Sequence, residues 1–185
     1  MGDAFDPARV EADVRRWLER AVIGLNLCPF AKAVQARGQV RIVVSDASTV
    51  SALREELGEE LLRLRDTPAD DIDTTLLVHP QVLGDFLDYN DFLDEADALV
   101  ESLELDGVLQ VASFHPQYQF ADTAFDDPGN NTNRAPYPIL HLLREASIDR
   151  AVEAYPEPDG IIERNLATMQ RLGNDGYRDL LDGGG

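Results

Sequence analysis

The 185-residue chain holds one lysine, one tryptophan, one cysteine, two methionines and three histidines, and several of these shortages exclude a class of protein. A lone cysteine, Cys28, cannot close an internal disulfide, so the chain is not a disulfide-stapled scaffold and its thiol is expected to stay reduced. Basic residues are scarce: 16 Lys and Arg stand against 35 Asp and Glu, for a formal charge of -19. Such a field repels phosphate backbones and anionic bilayers, which removes nucleic acid and membrane surfaces from the expected partners. Long apolar runs are missing too. The opening MGDAFDPARVEADVRRWLERAVIGLNL carries charge throughout, with no leader pattern, no stretch long enough to span a bilayer and no serine or threonine where myristoylation of Gly2 needs one; cytoplasmic residence is the expectation. Asn130-Asn131-Thr132 matches a glycosylation sequon, which without a secretion signal reads as chance.

What is present is alternation of helical and strand patterns. At 44% hydrophobic over 185 residues, the chain can build one α/β domain over 1–172, with 173–185 as a partly disordered tail. Asp6-Pro7 marks a helix start, and Val10, Val14, Trp17, Leu18, Ala21, Val22 and Leu25 continue its apolar stripe. A short helix over 29–36, ended by Gly38, leads into QVRIVVS, a β-branched strand. Ser48 or Thr49 can cap the next helix, where Val50, Leu53, Leu57, Leu61 and Leu64 recur on one face. TTLLVHP is the second strand, 82–103 is mainly helical, and Gly107 opens the third strand, VLQVASFH. Strands joined by helical crossovers run parallel when they neighbour in one sheet. The expected fold is therefore a small, mainly parallel sheet of three or more strands flanked by helices. Two helices, PILHLLREAS and DGIIERNLATMQRL, form a helical C-terminal part, the second ended by Gly173.

The three histidines mark the candidate site. Ligands bind beyond the carboxyl ends of parallel strands, and His79 and His115 each end a strand just before a proline, beside a third strand end at Ser45-Asp46. His141 and Glu145, four apart on the expected helix, share a face. A three-histidine, one-carboxylate set of His79, His115, His141 and Glu145 suits a divalent Zn, Mn, Fe or Ni that polarises a substrate or activates water; the plainer reading is capped strand ends and a helix ion pair. Cys28, before Pro29 at a helix start with Lys32 one turn on, can instead be a nucleophile, with His115 as base and Arg134 fixing an anionic substrate; the plainer reading is a small buried cysteine. Arg134 and Arg144 can also line an anion pocket or simply pair with surface acids. The segment Gln117 to Pro136 has no periodic pattern and is long enough to be a binding loop covering the site.

The blocks GLNLCPFAK, LLVHP, DYNDFLDEAD, VLQVASFHPQYQFA and NRAPYPILHLLREASI together resemble the uncharacterised domain-of-unknown-function 1415 family, over a span from about Val14 to Arg164. The resemblance implies that Cys28, His79, His115, Arg134, His141 and Glu145 belong to the family's signature, and implies no activity or cofactor. The residues themselves point to a cytosolic small-molecule enzyme with a histidine-rich site at the carboxyl rim of the sheet, metal-assisted or cysteine-dependent. A non-catalytic ligand-binding or regulatory protein is the alternative, and oligomeric state is left open.

Overall fold

Asp6 accepts a hydrogen bond from the Ala8 N–H (3.1 Å) and Pro7 takes the first helical position, so α1 (Pro7–Trp17) starts where the cap and the fixed proline φ dictate. It runs on through a π-helical stretch, Leu18–Ile23, and one continuous stripe of Val10, Val14, Trp17, Leu18, Ala21 and Val22 is buried. The computed structural model describes residues 5–155 and 157–182. In chain order there follow α2 (Ala31–Ala36), β1 (Val40–Val44), α3 (Val50–Asp66), β2 (Thr74–Val78), α4 (Phe86–Ser102), β3 (Leu109–Phe114), a 3-10 segment Pro128–Asn133, β4 (Ile139–Arg144), α5 (Glu145–Ala154) and α6 (Pro158–Asp182).

The sheet order is β1-β2-β4-β3. β1 and β2 pair in parallel, while β4 is antiparallel to both β2 and β3. The three expected strands therefore point the same way and end on one rim, but the sheet is mixed rather than mainly parallel. The added strand is ILHLLR, where the sequence reading places a helix. A short apolar run fits either element when both of its faces are buried, and β4 lies between two strands, so no polar alternation marks it. Its consequence for the site is direct: His141 is a mid-strand residue, opposite Leu76 and Ala112, and not a helical neighbour of Glu145.

Strand alternation divides the core in two. On one face Leu77, Leu140 and Leu142 pack against Leu53, Leu57, Leu61 and Leu64 of α3 and Tyr89, Phe92 and Ala96 of α4. The four α3 leucines are fully buried, and truncating any one to alanine is expected to cost about 2–5 kcal/mol. On the other face Leu76, Val78 and Ile139 meet the α1 stripe together with Met169 and Tyr177 of α6. Thr49 caps α3 by accepting from the Ala52 N–H. Gly38 (φ 69°) ends the α2 turn and Gly173 (φ 71°) breaks α6 in mid-course, left-handed positions at which a side chain would be strained. The helix resumes after Gly173 and runs to Asp182; the expected fraying of the last glycines lies outside the described residues. Among the described residues, no helix is long and apolar enough to cross a membrane.

Candidate functional site

Because β1, β2 and β3 end together, Ser45, His79 and His115 follow them onto one rim, all three fully buried. His79 donates from Nδ1 to the Val82 carbonyl (2.9 Å) and His115 from Nε2 to the Leu83 carbonyl (3.0 Å). The His115 Nδ1 in turn accepts the Gln117 N–H (3.0 Å), so that ring is neutral and both its nitrogens are used. Both imidazoles flank the ring of Tyr89, at 5.9 and 4.8 Å between centroids. The Tyr89 hydroxyl donates to the Ile139 carbonyl (2.7 Å) and accepts the Phe114 N–H (3.1 Å), inserting itself between β4 and β3. Ser45 donates to Glu56. Burial drives the His79 pKa down to about 4, more than its bond to Val82 raises it, and the nearby His115 lowers it further; burial lowers His115 as well. Among the described residues, the buried His79 Nε2 has no hydrogen-bond partner. This rim is a packed polar layer that pins the turn after β2.

His141 lies on the opposite face of the sheet. Its Nε2 is 2.8 Å from the Thr74 hydroxyl, whose own proton goes to the Leu142 carbonyl (2.7 Å). The hydroxyl has one hydrogen to give, so His141 must donate from Nε2, and in the neutral ring Nδ1 is the free base. Burial pushes the His141 pKa down to about 4, so it is neutral at pH 7. The residue lines an open cavity of about 420 Å3 bordered by the sheet, α1, α2 and α5, with Trp17, Leu76, Phe114 and Ile148 among its apolar walls. Among the described residues its polar lining is Asp73, Thr74, Gln110, His141 and Ser147, with Ser147 donating to Asp73 (2.6 Å). Among the described residues, Asp73 is the one charged residue in that lining.

Cys28 borders the same cavity and is solvent-exposed, against the plainer of its two readings, a packed cysteine. Nor is it a helix cap: α2 starts at Ala31 with Phe30 before it, and the Cys28 carbonyl accepts the Ala31 N–H (3.3 Å).

The four residues of the expected metal set do not meet. His79 and His115 face the α4 side at the rim, His141 faces the other side in mid-strand, and Glu145 opens α5 at the far end of β4, where its N–H bonds the Val108 carbonyl (2.9 Å). Among the described residues, no group of three or more His, Cys, Asp or Glu is placed to hold a metal ion. Cys28 and Arg134 line two different cavities, and His115 lines neither of those two. The two arginines act on backbone: Arg134 donates to the carbonyls of Tyr118 (2.9 Å) and Phe125 (2.7 Å), and Arg144 to those of Thr67 (2.6 Å) and Ile72 (2.7 Å). Burial lowers the pKa of both. The 117–136 segment is ordered by Arg134 and by Asn130, which accepts the Phe120 N–H and donates to the Ala124 carbonyl. It packs on α6 and contributes nothing to the lining of the His141 cavity.

Sequence reasoning missed Tyr89, Thr74, Asp73 and Trp17 as parts of these sites. Tyr89 was findable, three residues before Phe92 on the apolar stripe of α4 and carrying the only hydroxyl there. Thr74 and Asp73 had no such signal, since only the insertion of β4 beside β2 gives Thr74 its histidine.

No curated protein and no solved structure matches the chain. A family model described as "Protein of unknown function (DUF1415)" matches residues 9–179, so the blocks around Cys28, His79, His115, Arg134 and His141 all lie inside it, and the chain belongs to the DUF1415 family.

Proposed function

We propose that this protein binds a neutral, mostly apolar small molecule in the cavity over His141. The observation that carries the reading is a neutral histidine in an apolar wall whose Nε2 hydrogen is already given to Thr74, which leaves Nδ1 to accept a hydrogen bond. Concave apolar sites with a few convergent polar groups are where small ligands bind. At roughly 30 Å3 per water-sized heavy atom, 420 Å3 accommodates about 14 such atoms. With Asp73 as the lining charge, an anionic ligand is disfavoured and a hydroxyl or amide donor suits Nδ1. The test is emission of Trp17, the sole tryptophan, during titration with 4-tert-butylcyclohexanol and with its hydrocarbon counterpart. Saturable binding is expected, and in His141→Leu the preference for the alcohol should fall by about threefold or more, the worth of one hydrogen bond. No saturable binding of either compound would sink the reading.

Cys28 supports a second reading, because its exposed thiol borders the cavity that holds a histidine base. Here the thiol adds to an electron-poor C=C bond of a bound ligand: the S–C bond forms as the π bond breaks, and the thiol proton, taken up by His141 Nδ1, passes to the ligand carbon left with the electron pair. A base held near pKa 4 is weak at neutral pH, so binding is preferred. Alkylation of Cys28 that slows in His141→Leu would favour chemistry; an equal rate would remove it.

A further inference from the structure

A separate cavity of about 340 Å3 lies between the 117–136 segment and α6, with Phe125, Asp126, Asn131, Arg134, Tyr177 and Arg178 in its lining. In a chain with more than twice as many acids as bases, an arginine ordinarily finds a carboxylate, as Arg15, Arg41 and Arg65 do. Arg134 does not: among the described residues it bonds two carbonyls, and the Phe125 ring lies 4.6 Å from its guanidinium carbon. Of five N–H donors on a guanidinium, those two bonds take two. A half-buried cation without a counter-ion is costly to leave unbalanced. Among the described residues Arg178 pairs with Asp175 alone, at 3.2 Å and with both side chains largely exposed, a weak and easily exchanged contact. Among the described residues the cavity lining therefore carries two guanidinium groups against the single carboxylate of Asp126, and Phe125 beside them is 55% exposed.

We propose that this cavity binds a small organic oxyanion, a carboxylate or phosphate ester, gripped by the remaining Arg134 donors with Arg178 closing from α6 and the apolar body of the ligand against Phe125. The proposal does not depend on the His141 cavity. It is tested by NMR titration of the full chain with benzoate, phenyl phosphate and inorganic phosphate. Saturable shifts are expected at the Arg134 Nε–H and the Asn131 and Asn174 side-chain amides, with phenyl phosphate tighter than inorganic phosphate; the better of benzoate and phenyl phosphate tells which acid group the site takes. Arg178→Gln should weaken binding by about threefold or more, Arg134→Lys by about tenfold or more, and Asp126→Asn should tighten it. Because Arg134 also holds two loop carbonyls, its variant can fail by loosening the loop, so Arg178→Gln, whose side chain pairs among the described residues with the exposed Asp175 alone, is decisive. Absence of saturable shifts with all three probes, unchanged affinity in Arg178→Gln, or equal affinity for the two phosphates would overturn it.

Discussion

Acid should destabilise this protein well above the range in which its carboxylates titrate. His79 and His141 are held near pKa 4 in the fold, both chiefly by burial, against about 6.5 in an unfolded chain. A depressed folded pKa means that the unfolded state takes up the proton first, so stability is full above 6.5 and is lost as pH falls from there to 4. At pH 5 each histidine forfeits about 2 kcal/mol, roughly 4 for the pair, and His115, lowered in the same direction although Asp85 opposes the shift, adds to this. Against a typical total of about 5–15 kcal/mol, the urea midpoint should drop by about 2 M between pH 7.5 and 5. Relief of the -19 charge on acidification acts in the opposite sense, so the assay compares variants: urea unfolding followed by Trp17 emission and far-UV circular dichroism at both pH values, in wild type and His141→Leu. The variant should lose about 2 kcal/mol less than wild type over that interval. Equal losses in the two proteins would refute the assignment of His141 as neutral in the fold.

Tyr89→Phe deletes the hydroxyl that bridges Ile139 and Phe114, leaving buried groups of two strands unpaired; a loss of about 2–4 kcal/mol in urea unfolding is expected, and a loss below about 0.5 would show that water replaces it. Arg144→Met frees the carbonyls of Thr67 and Ile72 and should lower stability by about 1–3 kcal/mol, with faster amide exchange confined to the turn between α3 and β2; unchanged exchange there would contradict the clamp. The exposed Cys28 thiol should react stoichiometrically with iodoacetamide in the folded state, and more slowly when the adjoining cavity is filled; labelling only on unfolding would contradict its placement.

The legible part of the fold is the part written in periodicity and caps. Asp6-Pro7, Thr49, the α3 leucines and the β-branched strands each act locally, and local signals survive without knowledge of neighbours. β4 was illegible because its pattern is set by two flanking strands: Ile139 to Arg144 reads as an apolar run, and helix or strand is decided by the gap that the β2-α4-β3 crossover leaves between β2 and β3. That single misreading carried the site with it. With His141 on a helix, four ligands converge; with it on β4, alternation turns it away from His79 and His115. The strand-end logic did bring His79 and His115 to one rim, but proline and proximity could not reveal that Tyr89 would fill the space between them. Cys28 was located near a helix start, yet the cavity that it borders is made by α5 and Thr74, which lie far away in sequence.

The central claim is that a neutral ligand enters over His141 and gives its hydrogen bond to Nδ1. The most direct test is the 15N chemical shift of the histidine ring nitrogens in protein saturated with 4-tert-butylcyclohexanol at pH 7. The account predicts that Nδ1 of His141 shifts as it accepts the hydroxyl proton while the rings of His79 and His115 stay unchanged; shifts at the rim histidines alone, or at none of the three, would contradict it.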